Sequence, residues 1–98
     1  MSQIIFRETS GDDGEFVLLD NEKVLGKIVV RIDGDVLLAY HTEVDPSQEG
    51  HGLAHSIMAF LVEYARKHEL KVVPLCSYVF NQFSKEPSLY KDIWKMKD

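Results

Sequence analysis

A chain of 98 residues is long enough for one domain and too short for two, at the small end of what buries a self-sufficient core. Hydrophobic residues at 45% and charged residues at 28% exclude a disordered chain, and the formal charge of −5 argues against a protein that grips nucleic acid. The lone cysteine, Cys76, excludes an internal disulfide.

Met1 leads into Ser2-Gln3-Ile4-Ile5-Phe6-Arg7, without the basic start and apolar run of a signal peptide. No apolar stretch approaches the roughly 20 residues that span a bilayer. The expectation is a single domain over residues 1–98, cytoplasmic, with no membrane partner. Gln3 to Glu8 reads as a short strand ending in the turn-rich Gly11-Asp12-Asp13-Gly14. Glu15 to Asp20 is strand-like and stops at Asn21-Glu22, a hairpin turn. Lys23 to Ile32 is rich in β-branched residues, with Gly26 a candidate bulge. Asp33-Gly34-Asp35 carries the signal of another tight hairpin, so four strands follow one another as an antiparallel meander.

The fourth strand is Val36 to Val44. Period-2 geometry sets Val36, Leu38, Tyr40, Thr42 and Val44 on one face and Leu37, Ala39, His41 and Glu43 on the other. Both faces begin apolar, as in a central strand, and one turns polar at His41 and Glu43. From about His51 to His68, the residues Leu53, Ile57, Phe60, Leu61 and Tyr64 mark one buried stripe of a helix. Lys71 to Cys76 reads as a short buried strand, and a right-handed crossover makes it parallel to the fourth. Ser77 to Asp98 reads as one or two short helices broken at Pro87. The predicted class is α/β with a mixed sheet.

Glu49-Gly50-His51-Gly52-Leu53-Ala54 falls between the fourth strand and the first turn of the helix. The first N–H groups of a helix have no intrahelical partner and carry partial positive charge. Glycines let a ligand approach the backbone closely. Together these make a phosphate cradle, and a plain connecting loop explains the pattern equally well. No Gly-Lys-Ser/Thr closes it as in a P-loop, and the preceding meander is not the first unit of a dinucleotide fold.

Here the chain resembles the GCN5-related N-acetyltransferase superfamily, whose pattern Gln/Arg-x-x-Gly-x-Gly/Ala lies between a fourth strand and a long helix. Gly52 and Ala54 match its two small positions, and Val44-Asp45-Pro46 matches the usual Val-x-Pro lead-in. The run from "HTEV" through "GHGLAHSIMAFLVEYARKHELKVVP" to "CSY" is similar to the small, single-domain YjdJ-like or NATD1-like branch. The resemblance covers roughly residues 36 to 93. It implies acetyl-coenzyme A (acetyl-CoA) as cosubstrate, held by the loop amides of residues Glu49 to Ala54 and by freed ladder donors near Glu43 and Val44. Glu49 departs from the pattern, a carboxylate where Gln or Arg is usual. The helices that usually follow the first strand, and the customary last two strands, are absent from the sequence. An open acceptor side then suits an amine on a protein or peptide, or no acceptor at all.

Four residues are candidates for chemistry. His41, near the strand end, has the pKa range of a general base, although a histidine bonded within the sheet fits as well. Glu43 could act as base directly or through water, or be a solvated strand end. The resemblance makes Cys76 an acetyl-accepting nucleophile or a lining residue; by pattern alone it is a small buried hydrophobe. The superfamily often places a tyrosine on its last helix as acid for the leaving thiolate, which points to Tyr90, with Tyr78 an alternative or a cofactor contact. His51 and His55 lie within the motif and could meet phosphate or adenine. The four histidines share no metal-ligand spacing, so no metal is implied. The expectation is an N-acetyltransferase-like domain. Its alternatives are a coenzyme A-binding module with little or no transfer, or a structural domain with a vestigial loop. An open sheet edge offers a second copy a place to pair as a homodimer.

Overall fold

Tight turns fold the amino-terminal half into an antiparallel meander of β1 (Ser2–Ser10), β2 (Asp13–Asp20), β3 (Lys23–Asp33) and β4 (Val36–Val44). The computed structural model describes residues 2–96. Asn21 and Glu22 both take positive φ, 50° and 77°, a two-residue hairpin geometry whose twist suits the flanking strands. The β2–β3 ladder slips once, with Leu18 opposite Gly26 and Leu19 opposite Val24, so the irregularity expected at Gly26 falls on Leu25 beside it.

A short 3-10 turn (Pro46–Gln48) and a loop lead into α1 (Leu53–Lys67). Then come β5 (Lys71–Pro74), α2 (Ser77–Lys85) and a single turn, α3 (Pro87–Tyr90). The sheet runs β1-β2-β3-β4-β5, and β5 joins β4 in parallel, giving the expected mixed α/β fold. Among the described residues no helix is long and apolar enough to cross a membrane.

Some boundaries differ from the sequence reading: β1 runs Ser2–Ser10 rather than Gln3 to Glu8, and β2 starts at Asp13 rather than Glu15. The helix starts at Leu53 rather than His51, because Gly52 at φ 73° lies outside the right-handed helical region. The last strand ends at Pro74, and Cys76, expected to close it, instead caps the start of α2. The segment after it breaks as expected, with Glu86 between α2 and α3 and Pro87 at the first position of α3. The last two residues of that segment lie outside the described ones.

Helix α1 covers one face of the sheet. Ile57 and Leu61 bury against Phe16, Leu18, Ile28, Val30, Leu37, Ala39 and Val72. Phe60, placed in the stripe by spacing, is half-exposed at its margin and meets Phe16 edge-on. Met58, Val62 and Ala65 are buried instead, since Val79, Phe83 and Ile93 pack into the same cluster from the carboxy-terminal segment. Every buried residue of α1 and α2 belongs to this cluster. Val17 and Val73 are buried outside it, on the opposite face of the sheet, which the described helices leave uncovered.

The alternation expected along β4 breaks in the middle. Ala39 pairs with Val30 and His41 with Val29, so Tyr40 is an extra residue, a β-bulge. Cross-strand partners share a face, and a one-residue slip reverses the phase beyond it. Leu37 and Ala39 therefore face α1 together with Thr42 and Val44, whose partners are Ile28 and Gly26. His41 and Glu43 lie on the opposite face, with Leu38.

Candidate functional site

The bulge coincides with a fork in the sheet. Strand β5 pairs with β4 only from Val36 to Ala39. Leu75 and Cys76 then both donate their amides to the Ala39 carbonyl, at 3.0 and 2.8 Å, and the chain turns away into α2. Beyond Ala39 the edge of β4 faces no strand among the described residues. The amide of Asp45 donates to the Leu25 carbonyl at 2.8 Å. In an antiparallel ladder alternate residues point to alternate sides, so the N–H groups of Val44 and Thr42 aim at the open edge.

The loop after β4 ends at the helix start without a side-chain cap. Its first intrahelical bond runs from Ser56 N–H to the Gly52 carbonyl, 3.1 Å, so the amides of Leu53, Ala54 and His55 have no partner within the helix. Gly50 and Gly52 take φ of 86° and 73°, and a Cβ built on either meets no heavy atom within 4 Å. The glycines thus provide left-handed backbone and leave open space before an uncapped helix start.

These parts line one groove of about 370 Å³, walled by Thr42 and Val44 of β4, by Gln48, Glu49, Gly50 and Gly52, by Leu53, Ala54 and His55 of α1, and by Tyr78 of α2. It brings together the sequence-nominated Val44, Glu49, Gly50, Gly52, Leu53, Ala54 and Tyr78. His51, exposed in the loop, is not among its walls. Sequence reasoning missed Thr42 and Gln48; the phase reversal hides the first, and no pattern marks the second. Lys and Arg are missing from the walls, and Glu49 is an exposed carboxylate among them.

Cys76 is buried beside the groove, its Sγ 3.0 Å from the Thr42 Oγ1. It stands at the amino-terminal end of α2, while His41 lies across the sheet from it. A helix amino terminus, which lowers a thiol pKa, is therefore adjacent to Cys76, and the imidazole is not. Burial pushes the Tyr78 phenol up from the ordinary tyrosine value, and the nearby Tyr90 and Cys76 push the same way. Tyr78 therefore keeps its proton throughout the neutral range.

His41 and Glu43 are exposed on the uncovered face, Nε2 and Oε1 3.8 Å apart. Glu43 also meets Lys27 at 3.6 Å, and Lys27 reaches the buried Glu15 at 3.8 Å. Tyr90 sits apart from the groove walls. It stacks on Phe83 with centroids 4.4 Å apart and lines a second groove with His55, Met58 and Arg66.

Four antiparallel strands, a crossover helix with an uncapped start facing the fork, and a fifth strand that diverges from the fourth define the class of fold. A family model described as GCN5-related N-acetyl-transferase matches residues 15–93, and the chain belongs to that family. A GCN5-like putative N-acetyltransferase from Staphylococcus aureus, solved by NMR, is similar at 25% identity and TM-score 0.67; the match covers 100% of this chain and 94% of that one. A ribosomal-protein-alanine N-acetyltransferase from Brucella melitensis shares the fold at 17% identity and TM-score 0.64, over 91% of this chain and 66% of that one. The ribosomal-protein-S18-alanine N-acetyltransferase of Escherichia coli is 18% identical with TM-score 0.60, over 65% of this chain. The chain spans 42% of the length of that E. coli enzyme.

Proposed function

We propose that the chain binds acetyl-CoA in the groove at the fork and transfers the acetyl group to an amine, on a protein or peptide, by direct attack on the thioester. The observation that carries this reading is the fork itself. Open-edge amides of β4 and unpartnered amides of α1 converge on one groove whose glycines keep side chains away. A pyrophosphate suits the α1 terminus, because the helix dipole and the free N–H groups both favour an anion. Bound there, acetyl-CoA supplies the activated acyl group.

The chain's own residues account for the rest. The N–H groups of Thr42 and Val44 bond an extended amide chain and polarise a carbonyl at the edge of β4. Glu43 or His41 accepts a proton from the incoming ammonium on the uncovered face. The protonated Tyr78 donates a proton to the departing sulfur, and its raised pKa keeps that proton available. Tyr90, stacked on Phe83, supports α2 rather than reaching the groove. Cys76 is the group a two-step route would use, with Thr42 holding its sulfur.

A second reading has its own observation. With Glu49 in the groove wall and neither Lys nor Arg beside it, the site suits a weak coenzyme A-binding module as well as an enzyme. Calorimetry with acetyl-CoA comes first, and absence of heat at millimolar ligand would sink both readings. Mass spectrometry of a peptide mixture incubated with labelled acetyl-CoA then separates them, because a module binds and acetylates nothing. Retained turnover in Cys76→Ser marks direct attack, whereas its loss together with the label on Cys76 marks the two-step route.

A further inference from the structure

The face of the sheet opposite the groove carries an exposed apolar pair at the mouth of the fork. Tyr40, the extra residue of the bulge, is 44% exposed, and Leu75 is 38% exposed. Neither belongs to the core cluster or to the groove walls. The amide of Leu75 bonds the carbonyl of Ala39, the residue before Tyr40, so Leu75, just past the end of β5, stands beside Tyr40 at the last point where the two chain segments touch. Val73 pairs with Leu38 on the uncovered face. Tyr40 follows Ala39, which faces α1, and is exposed beside Leu38, while Leu75 is exposed where the chain turns out of β5 beside it. The same slip that makes Tyr40 the extra residue turns His41 and Glu43 to this side.

An amine approaching the fork from this side meets a carboxylate and an imidazole beyond the bulge, with Tyr40 and Leu75 beside the opening. The exposed Glu43 carboxylate, beside Lys27 and His41, offers an acceptor to an ammonium, and an exposed tyrosine ring adds attraction for a cation. The apolar pair, unburied by the fold, gains by covering a neighbouring hydrophobic group. We propose that Tyr40 and Leu75 are the specificity residues for the acceptor, and that they select a polypeptide amine flanked by a large apolar side chain. This rests on the transferase reading above.

The test uses two peptides that differ in one residue, leucine or serine next to the reacting amine, with acetyl-CoA saturating. The protein is compared with Tyr40→Ser, Leu75→Ser and the double variant. Both positions lie outside the groove, so acetyl-CoA binding by calorimetry should stay that of the parent, and rates are compared at a temperature where melts show every variant folded. The expected result is a preference of about tenfold in kcat/KM for the leucine peptide, reduced towards one in the double variant. Turnover of both peptides with no preference, or a preference that survives the double substitution, overturns the proposal and leaves the transferase reading standing. A free small amine that outcompetes both peptides overturns it as well. Binding of acetyl-CoA without acetylation of any amine removes the transferase reading, and the specificity proposal falls with it.

Discussion

Gly52→Ala and Gly34→Ala form a matched pair that separates strain in the loop from its proposed use. Gly52 has φ 73° and Gly34 φ 62°, and a Cβ at either position meets no heavy atom within 4 Å. The cost to the fold in both cases is therefore left-handed backbone strain alone, about 1–2 kcal/mol. For a chain of this length that lowers Tm by roughly 5–15 °C. Gly34 lies in the β3–β4 turn at the far end of the strand, away from the groove, whereas Gly52 is one of its walls. If the loop amides cradle a pyrophosphate, disturbing one charge-assisted hydrogen bond weakens acetyl-CoA binding by roughly tenfold to a hundredfold in Gly52→Ala. Gly34→Ala should bind like the parent. Thermal melts give the strain, and calorimetry at a temperature where both variants are folded gives the affinities. Equal affinities for Gly52→Ala and Gly34→Ala, with equal losses in Tm, would refute the cradle.

Glu49→Gln removes a carboxylate from the groove wall and should tighten acetyl-CoA binding by about two- to fivefold at low salt. Calorimetry at two ionic strengths checks it, since the gain must shrink as salt rises. Gly26→Ala puts a Cβ 3.0 Å from Ile57 Cδ1 and 3.2 Å from the Glu43 carbonyl. It should destabilise the fold by about 1–3 kcal/mol, with part of the loss recovered when Ile57→Val is added, as a denaturant double-mutant cycle would show. The raised pKa of Tyr78 predicts a transfer rate that holds through mildly alkaline pH and falls only above the ordinary tyrosine range. Tyr78→Phe should lower the rate and abolish that alkaline fall, and a pH–rate profile that keeps the same limb would assign it elsewhere.

Much of this architecture is legible in the sequence because the signals are local. Asn21-Glu22 and Gly34 mark turns by the backbone they permit, and Ile57, Leu61 and Tyr64 mark a helix face by spacing. The glycine loop is legible for the same reason, since Gly50 and Gly52 announce left-handed backbone before a helix. What depends on register is not. A bulge adds one residue to one strand of a ladder, and nothing in "LLAYHTEV" says which residue lacks a partner. Strict alternation therefore sets Thr42 and Val44 opposite Leu37 and Ala39, whereas the bulge brings them onto the same face. Phe60 and Met58 exchange places for a related reason. Periodicity finds the side of α1 that meets the sheet, and the second side is set by Phe83 and Ile93, distant in sequence.

The slip at Tyr40 also answers an energetic problem in β4. Without it His41 and Glu43 would continue on the face of Leu37 and Ala39. That face is closed by α1, whose Ile57 Cδ1 lies 3.0 Å from a Cβ built on Gly26, the partner of Val44. A carboxylate there would lose its water beside an isoleucine, at a cost of several kcal/mol unless it were protonated. Val44 would meanwhile point into solvent. One extra residue removes both penalties, returning Glu43 to water beside Lys27 and placing Val44 against the helix. It acts where β5 leaves the ladder, so the strand that changes phase is also the one that gains a free edge. The groove and the polar pair then lie back to back across a single strand, separated by no more than the thickness of the sheet. A donor on one side and an acceptor on the other can meet only through the fork, so an intact fork is a stricter requirement for transfer than any one side chain around it.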